Sequence, residues 1–179
     1  PLSAEHLDGA PLTAGWSGDE LAVLASLAAD PEGDGRTEWF LGIGAYARRL
    51  IRLRTLPTGE WVADAPHPPT DALASDVAAL AATDLDGDGV DELAVAVGPW
   101  QAYEVRLLGG SQGDDGLHRI DREMLGSIHT MTPYRRCDGR PGIAAPAGPR
   151  YGNPRAFGAQ RPYPVDPGLY GLTIDEGQL

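Results

Sequence analysis

Lysine is absent from this chain: all 14 of its basic residues are arginine. Against them stand 26 acidic residues, for a formal net charge of −12 and a pI near 4.6. Such a surface repels nucleic-acid phosphates and anionic lipid, so no nucleic acid is expected as a partner. The all-arginine usage fits the codon bias of a GC-rich genome, with a salt-adapted surface as the alternative. Cysteine is nearly missing as well. Cys137 stands alone, which excludes an intrachain disulfide and a disulfide-dense scaffold. With no partner histidine marked out for it, the thiol reads as buried or incidental, not as a nucleophile. No apolar run approaches the roughly 20 residues that span a bilayer, so no membrane insertion is expected. No signal peptide is visible and the chain opens on Pro1, so it is read as a processed or excised piece.

What is present begins with a 42% hydrophobic composition over 179 residues. That is enough apolar material for one domain with a real core. Self-similarity then dominates the reading. One segment runs Asp84-Leu-Asp86-Gly-Asp88-Gly-Val90-Asp91-Glu92, and an earlier one Asp30-Pro-Glu32-Gly-Asp34-Gly-Arg36-Thr-Glu38. Both place acids at loop positions 1, 3, 5 and 9 and glycine at position 6, and they lie 54 residues apart (84 − 30). After each comes an apolar run ending in glycine, at Gly44 and Gly98, and Ile51-Arg-Leu53 is set in register with Val105-Arg-Leu107. A third copy, around Asp138-Gly-Arg-Pro-Gly-Ile143, keeps the Asp-Gly pair but has Tyr134, Arg136 and Gly142 at positions 1, 3 and 9. No metal is expected there, and Arg136 is a candidate to supply positive charge instead.

Apolar runs of four to eight residues bounded by Gly, Asp and Pro favour strands over helices. For the second unit the strands fall near 76–82, 92–98, 103–108 and 118–122, with a further strand near Leu169–Ile174. Short strands recurring about every 50 residues predict an all-β chain of about three four-stranded antiparallel blades. The divisions are an N-terminal segment 1–19, blade 1 over 20–64, blade 2 over 72–123, and a degenerate blade 3 with a Pro-rich tail over 124–179.

The loops carry the chemistry. Calcium takes six to eight oxygen ligands at about 2.3–2.6 Å. Carboxylates at alternate positions of a tight turn converge on one point, and the position-7 carbonyl, of Val90 or Arg36, adds an uncharged oxygen. Gly35 and Gly89 allow the sharp turn. Five carboxylates within nine residues, Asp84 to Glu92, would repel one another without a cation; Asp91 is expected to point outward. Magnesium is less suited, because it prefers octahedral sites that keep several waters. An EF-hand would need a bidentate glutamate at position 12, where this chain has Leu41 and Val95; a dockerin would follow its loop with a helix and space its copies more closely.

Residues 20–148 resemble the FG-GAP, or VCBS-type, repeats of calcium-binding β-propellers. The resemblance rests on Asp-x-Asp-Gly-Asp-Gly-x-x-Glu followed by an apolar strand. It implies a four-stranded blade per repeat with calcium in the loop joining its first two strands. By that resemblance Asp84, Asp86, Asp88 and Glu92 hold one ion, and Asp30, Glu32, Asp34 and Glu38 a second. It also implies a secreted or cell-surface location.

Function is less sharply drawn. His6, His67, His118 and His129 show no metal-ligand spacing, and no Gly-x-Ser-x-Gly elbow, phosphate loop or His-Glu-x-x-His occurs. Trp100, Tyr103 and Tyr46 are the binding candidates, weighed against packing between blades. Trp39 is expected in the core and Trp61 in blade packing. Three blades fall short of the four to eight of a closed propeller, and open edges invite pairing. Self-association, a partner chain or a longer parent protein is therefore expected. The leading reading is a calcium-stabilised extracellular module for binding protein or carbohydrate, or for assembly. Alternatives are the propeller portion of a secreted enzyme, such as a polysaccharide lyase or natural-product enzyme, and a structural subunit of a surface assembly.

Overall fold

The computed structural model describes residues 22–44, 49–66, 76–98, 103–110, 116–148 and 167–174. These form strands and turns, with no helix among them. The first sheet holds β1 (Ala22–Ala29), β2 (Glu38–Gly44), β3 (Arg49–Thr55) and β4 (Trp61–Asp64) in the order β1-β2-β3-β4. The second repeats that order with β5 (Val77–Thr83), β6 (Glu92–Val97), β7 (Glu104–Gly109) and β8 (His118–Met124). In the third, β9 (Ser127–Ile128) and β10 (Thr132–Arg135) both pair with β11 (Pro141–Gly148), and β12 (Gly168–Leu172) lies on its other side. Every pairing is antiparallel, as short connections between successive strands require. The expected all-β architecture and the strand positions in the second unit are found, and the expected 169–174 strand begins at Gly168. The N-terminal segment and most of the Pro-rich tail lie outside the described residues.

Each sheet opens with an irregular strand. In β1 the pairing skips Leu24, and in β5 it skips Ala78, again 54 residues on. Between Ile128 and Thr132 the third sheet advances four residues while β11 advances three, from Ala147 to Ala144. Such bulges bend a strand and re-aim its side chains. In β5 the bulge puts Val77, Leu80 and Ala82 on one face and Ala79 and Ala81 on the other.

The second sheet is the middle layer. Leu93, Val95 and Val97 of β6 join Phe40, Leu50, Leu108 and Leu117 in a core against the first sheet. Ala94 and Ala96 meet Ile143, Ala145 and Ala147 in a core against the third. β6 is thus buried along its whole length, with large residues on one side and alanines on the other. Burying such side chains stabilises by roughly 1.5–3 kcal/mol each for the larger ones.

The same geometry corrects the expectation for Trp39. Its repeat counterpart Leu93 is fully buried under the first sheet, whereas Trp39 is 45% exposed. It sits on the face opposite Phe40, turned away from the second sheet. Trp61 packs, half-buried, beside Ile43, Ile51 and Leu53. The third-strand register also differs by one residue. Phe40 faces Arg52 and its counterpart Ala94 faces Leu107, so Arg52 corresponds to Leu107 and not to Arg106. A one-residue shift turns a side chain to the other face of its sheet.

Close packing between the first two sheets leaves no room at Gly42. A Cβ there would lie 2.6 Å from a Val77 methyl and 2.7 Å from the Val77 carbonyl oxygen. Backbone cannot yield as a side chain can, so Gly42→Val is expected to destabilise the fold by about 1–3 kcal/mol. A urea midpoint lowered at unchanged slope would show it; an unchanged midpoint would refute this account of the interface.

Candidate metal centre

The loop joining β5 to β6 begins where Thr83 pairs with Glu92. Its eight intervening residues curl around their own acids. Asp84 accepts the Gly87 amide at 2.6 Å through Oδ1 and the Gly89 amide at 3.0 Å through Oδ2. Asp86 Oδ1 accepts the Asp88 amide at 3.0 Å, and Asp88 Oδ1 accepts the Val90 amide at 2.8 Å. Gly87 and Gly89 hold the left-handed backbone, at φ 86° and 91°, that such a curl needs. The outcome is a triad: Asp84, Asp86 and Asp88 each present a carboxylate oxygen, all within 4.8 Å of one another. Asp86 and Asp88 are exposed and Asp84 half-buried, so an ion can enter from solvent. Glu92 is buried at the base of the loop, its Oε2 accepting the Leu85 amide at 2.7 Å.

This donor set suits a hard cation. It is all oxygen, it is anionic, and like charges so close repel by about 1 kcal/mol per pair even in water. Burial pushes the Glu92 carboxyl up to about 7, against the Leu85 hydrogen bond, and the charges of Asp86, Asp88 and Asp84 push the same way. Asp91 does not point freely outward as expected. It is half-buried, and burial, then the charges of Asp84 and Asp30, raise its pKa, while the hydrogen bond from the Asp84 amide lowers it.

The first loop has the same backbone design. Asp30 accepts the Asp34 and Gly35 amides at 3.2 and 2.8 Å, and Asp34 accepts the Arg36 amide at 2.8 Å. Gly35 stands at φ 81°, matching Gly89. Its acids, however, do not converge on an open point. Glu32 hydrogen-bonds Arg52, and Glu38 Oε2 lies 3.7 Å from the same guanidinium. Asp34 remains exposed, with Arg36 Nε 3.9 Å away. Glu38 is buried, which pushes its carboxyl up to about 7 even though Arg52 pulls it down. A cleft of about 390 Å³ opens beside Glu32, Asp34, Glu38 and Arg54. In the third copy, Arg135 pairs with Pro141, so only five residues form the turn. Asp138 there accepts the Arg140 amide and is ion-paired by Arg140 Nε at 3.0 Å and Arg136 Nη2 at 3.5 Å. Arg136 thus does bring positive charge to that turn.

Of the ten residues expected at two metal sites, the structure brings together Asp84, Asp86 and Asp88, with Glu92 beneath them and Val90 at the seventh position. In the first loop it sets Glu32 and Glu38 beside Arg52, turns Asp30 onto the loop's own amides and leaves Asp34 exposed beside Arg36. The residue missed was Arg52, legible only as a charge inside the apolar run Leu50-Ile-Arg-Leu53. Of the binding aromatics, Tyr103 is buried; Trp100 and Tyr46 lie outside the described residues, as do His6 and His67. No protein-family model matches this chain, and no curated protein matches its sequence.

Without divalent metal, Glu38 and Glu92 hold protons in the folded state that they release when unfolded. Their native pKa values near 7 exceed the ordinary glutamate value near 4.5, so the native state binds the extra protons between those limits. Stability is therefore expected to fall as pH rises from about 4.5 to 7, by at most about 1.4 kcal/mol per pH unit for each group. Urea titrations in chelator across that range test this; stability that climbs with pH would contradict it.

Proposed function

We propose that this chain is a calcium-stabilised, extracellular β-propeller module for binding or assembly, with its three sheets as blades. The observation that carries the reading is the Asp84–Asp86–Asp88 triad, three carboxylates gathered on a loop between the first two strands of a sheet. Their repulsion is relieved by a divalent ion. Calcium is the ion of choice because it accepts many oxygen ligands in flexible geometry and is millimolar outside cells, where modules of this kind bind at ~10⁻⁴–10⁻³ M. The resemblance to FG-GAP repeats points the same way. Support for blades comes from three sheets stacked through equivalent faces, each opening on a bulged strand.

The outer faces support a further partner. Val23 and Trp39 at one end, and Tyr134 and Leu169 at the other, are large apolar residues 37–74% exposed. On the second sheet the counterpart of Trp39 receives a neighbour. A further sheet, from a second copy, a partner chain or the rest of a longer protein, would cover these faces. Carbohydrate or protein remains the ligand class.

The enzymatic alternative has one observation in its favour. Ser127 Oγ and His129 Nε2 are hydrogen-bonded at 3.0 Å beside a cleft of about 190 Å³ lined also by Tyr103, Ala78 and Ile128. Turnover of a polysaccharide or small ester, abolished by Ser127→Ala with the fold intact, would favour it.

Calcium is expected to raise the melting temperature. At ten times the dissociation constant one site contributes about 1.4 kcal/mol, or roughly 3–6 °C for a chain of this size. The double variant Asp84→Asn, Asp88→Asn should lose that response in a thermal melt with and without calcium. A wild-type protein indifferent to calcium and chelator would defeat the proposal.

A further inference from the structure

The two acidic loops match in backbone but differ in what lies beneath them. Under the first loop is Arg52, with a side chain only 1% exposed. Its Nε and Nη2 grip the two oxygens of Asp64 at 2.8 and 3.1 Å. That fork leaves Nη1 to reach up into the loop, where it hydrogen-bonds Glu32 and stands 3.7 Å from Glu38 Oε2. This Glu38 oxygen is buried and accepts no hydrogen bond, and Arg52 is an ion-pair partner for it. Glu32 and Glu38 are the counterparts of Asp86 and Glu92 in the second loop. There the structural counterpart of Arg52 is Leu107, which faces Ala94 as Arg52 faces Phe40. Leu107 is uncharged, so the position beneath that loop supplies no guanidinium to its carboxylates.

We infer that Arg52 is the resident cation of the first acidic loop, its guanidinium serving Glu32 and Glu38 where a divalent ion would serve the second loop. The chain then has one divalent-ion site, not the two that its repeat suggests. The reason is electrostatic exclusion. A divalent ion drawn to Glu32 and Glu38 would meet a buried positive charge already hydrogen-bonded in place and held by Asp64. Glutamate at position 3, one methylene longer than Asp86, suits a partner that comes from the sheet below. The inference rests on the calcium reading only for the second loop.

Native mass spectrometry in millimolar calcium separates the two claims. Wild type is expected to carry one ion, and Asp84→Asn, Asp88→Asn none. Glu32→Gln, Asp34→Asn should leave the count at one. Arg52→Leu, which copies the second sheet, should raise it to two and enlarge the calcium-induced shift in melting temperature beyond that of wild type. Two ions on wild type, with one lost in Glu32→Gln, Asp34→Asn, would overturn the inference; so would a folded Arg52→Leu protein that gains none. If Arg52→Leu does not fold, the Glu32→Gln, Asp34→Asn count decides against the wild-type count: a single ion on both supports the inference, and an ion lost from wild type to variant overturns it. No ion on wild type would remove the calcium reading of the second loop, while an ion gained by Arg52→Leu would still support the role of Arg52.

Discussion

Negative charge gathered at one end of adjacent sheets is the constraint around which this fold is arranged. Asp91 reflects it, since burial and then the charges of Asp84 in its own loop and Asp30 in the neighbouring one push its pKa up. Crowded carboxylates can be settled by amide donors, by an internal cation or by a bound ion. Amides take the first share, because the glycines at positions 4 and 6 turn the backbone N–H groups inward. Arg52 takes the next in the first sheet, and lysine could not do so in the same way. The guanidinium divides its donors between Asp64 on one edge and the loop on the other, whereas an ammonium is a single point charge without that fork. In the second loop three carboxylates present oxygens within 4.8 Å of one another, those of Asp86 and Asp88 on exposed residues, and that set could hold a metal ion.

Much of the fold was legible because strands in this chain are short apolar runs with hard stops. The β6 run from Glu92 to Val97 is bounded by the acidic loop on one side and Gly98 on the other, and its limits could be read almost to the residue. The acid triad was legible for the same reason: its spacing is local. What escaped was anything decided across strands. The skipped residues Leu24 and Ala78 sit in uniformly small or apolar runs, where no residue type marks a bulge. Those runs also cannot show that β7 pairs one residue further on than β3 does. That single step turned Arg52 from a presumed equal of Arg106 into an occupant of the place of Leu107, and it changed the reading of the first metal loop. Trp39 was misjudged for a different reason. Its size suggests a core residue, but its burial depends on whether another sheet lies beyond the first.

The third copy shows what the long loops are for. Five residues from Arg136 to Arg140 join β10 to β11, with Gly139 at φ 84° closing the turn as Gly35 and Gly89 do in theirs. A hairpin therefore needs no more than that, and the eight-residue acidic loops carry three residues beyond what connection demands. Those residues bridge sheets. The Pro31 carbonyl of the first loop accepts the Gly110 amide of the second sheet at 3.1 Å, and Pro31 itself is buried. Gly33 is pressed so closely against Val90 that a Cβ would lie 2.6 Å from its methyl group. Val90 belongs to the second acidic loop, so the conformation of one loop sets the seat of the other. Neutralising the Asp84 loop would then stiffen the contact between two sheets as well as a single turn. A metal ion on the Asp84 loop would act on that seam through Val90, whereas Arg52 fastens the first loop to its own sheet through Asp64.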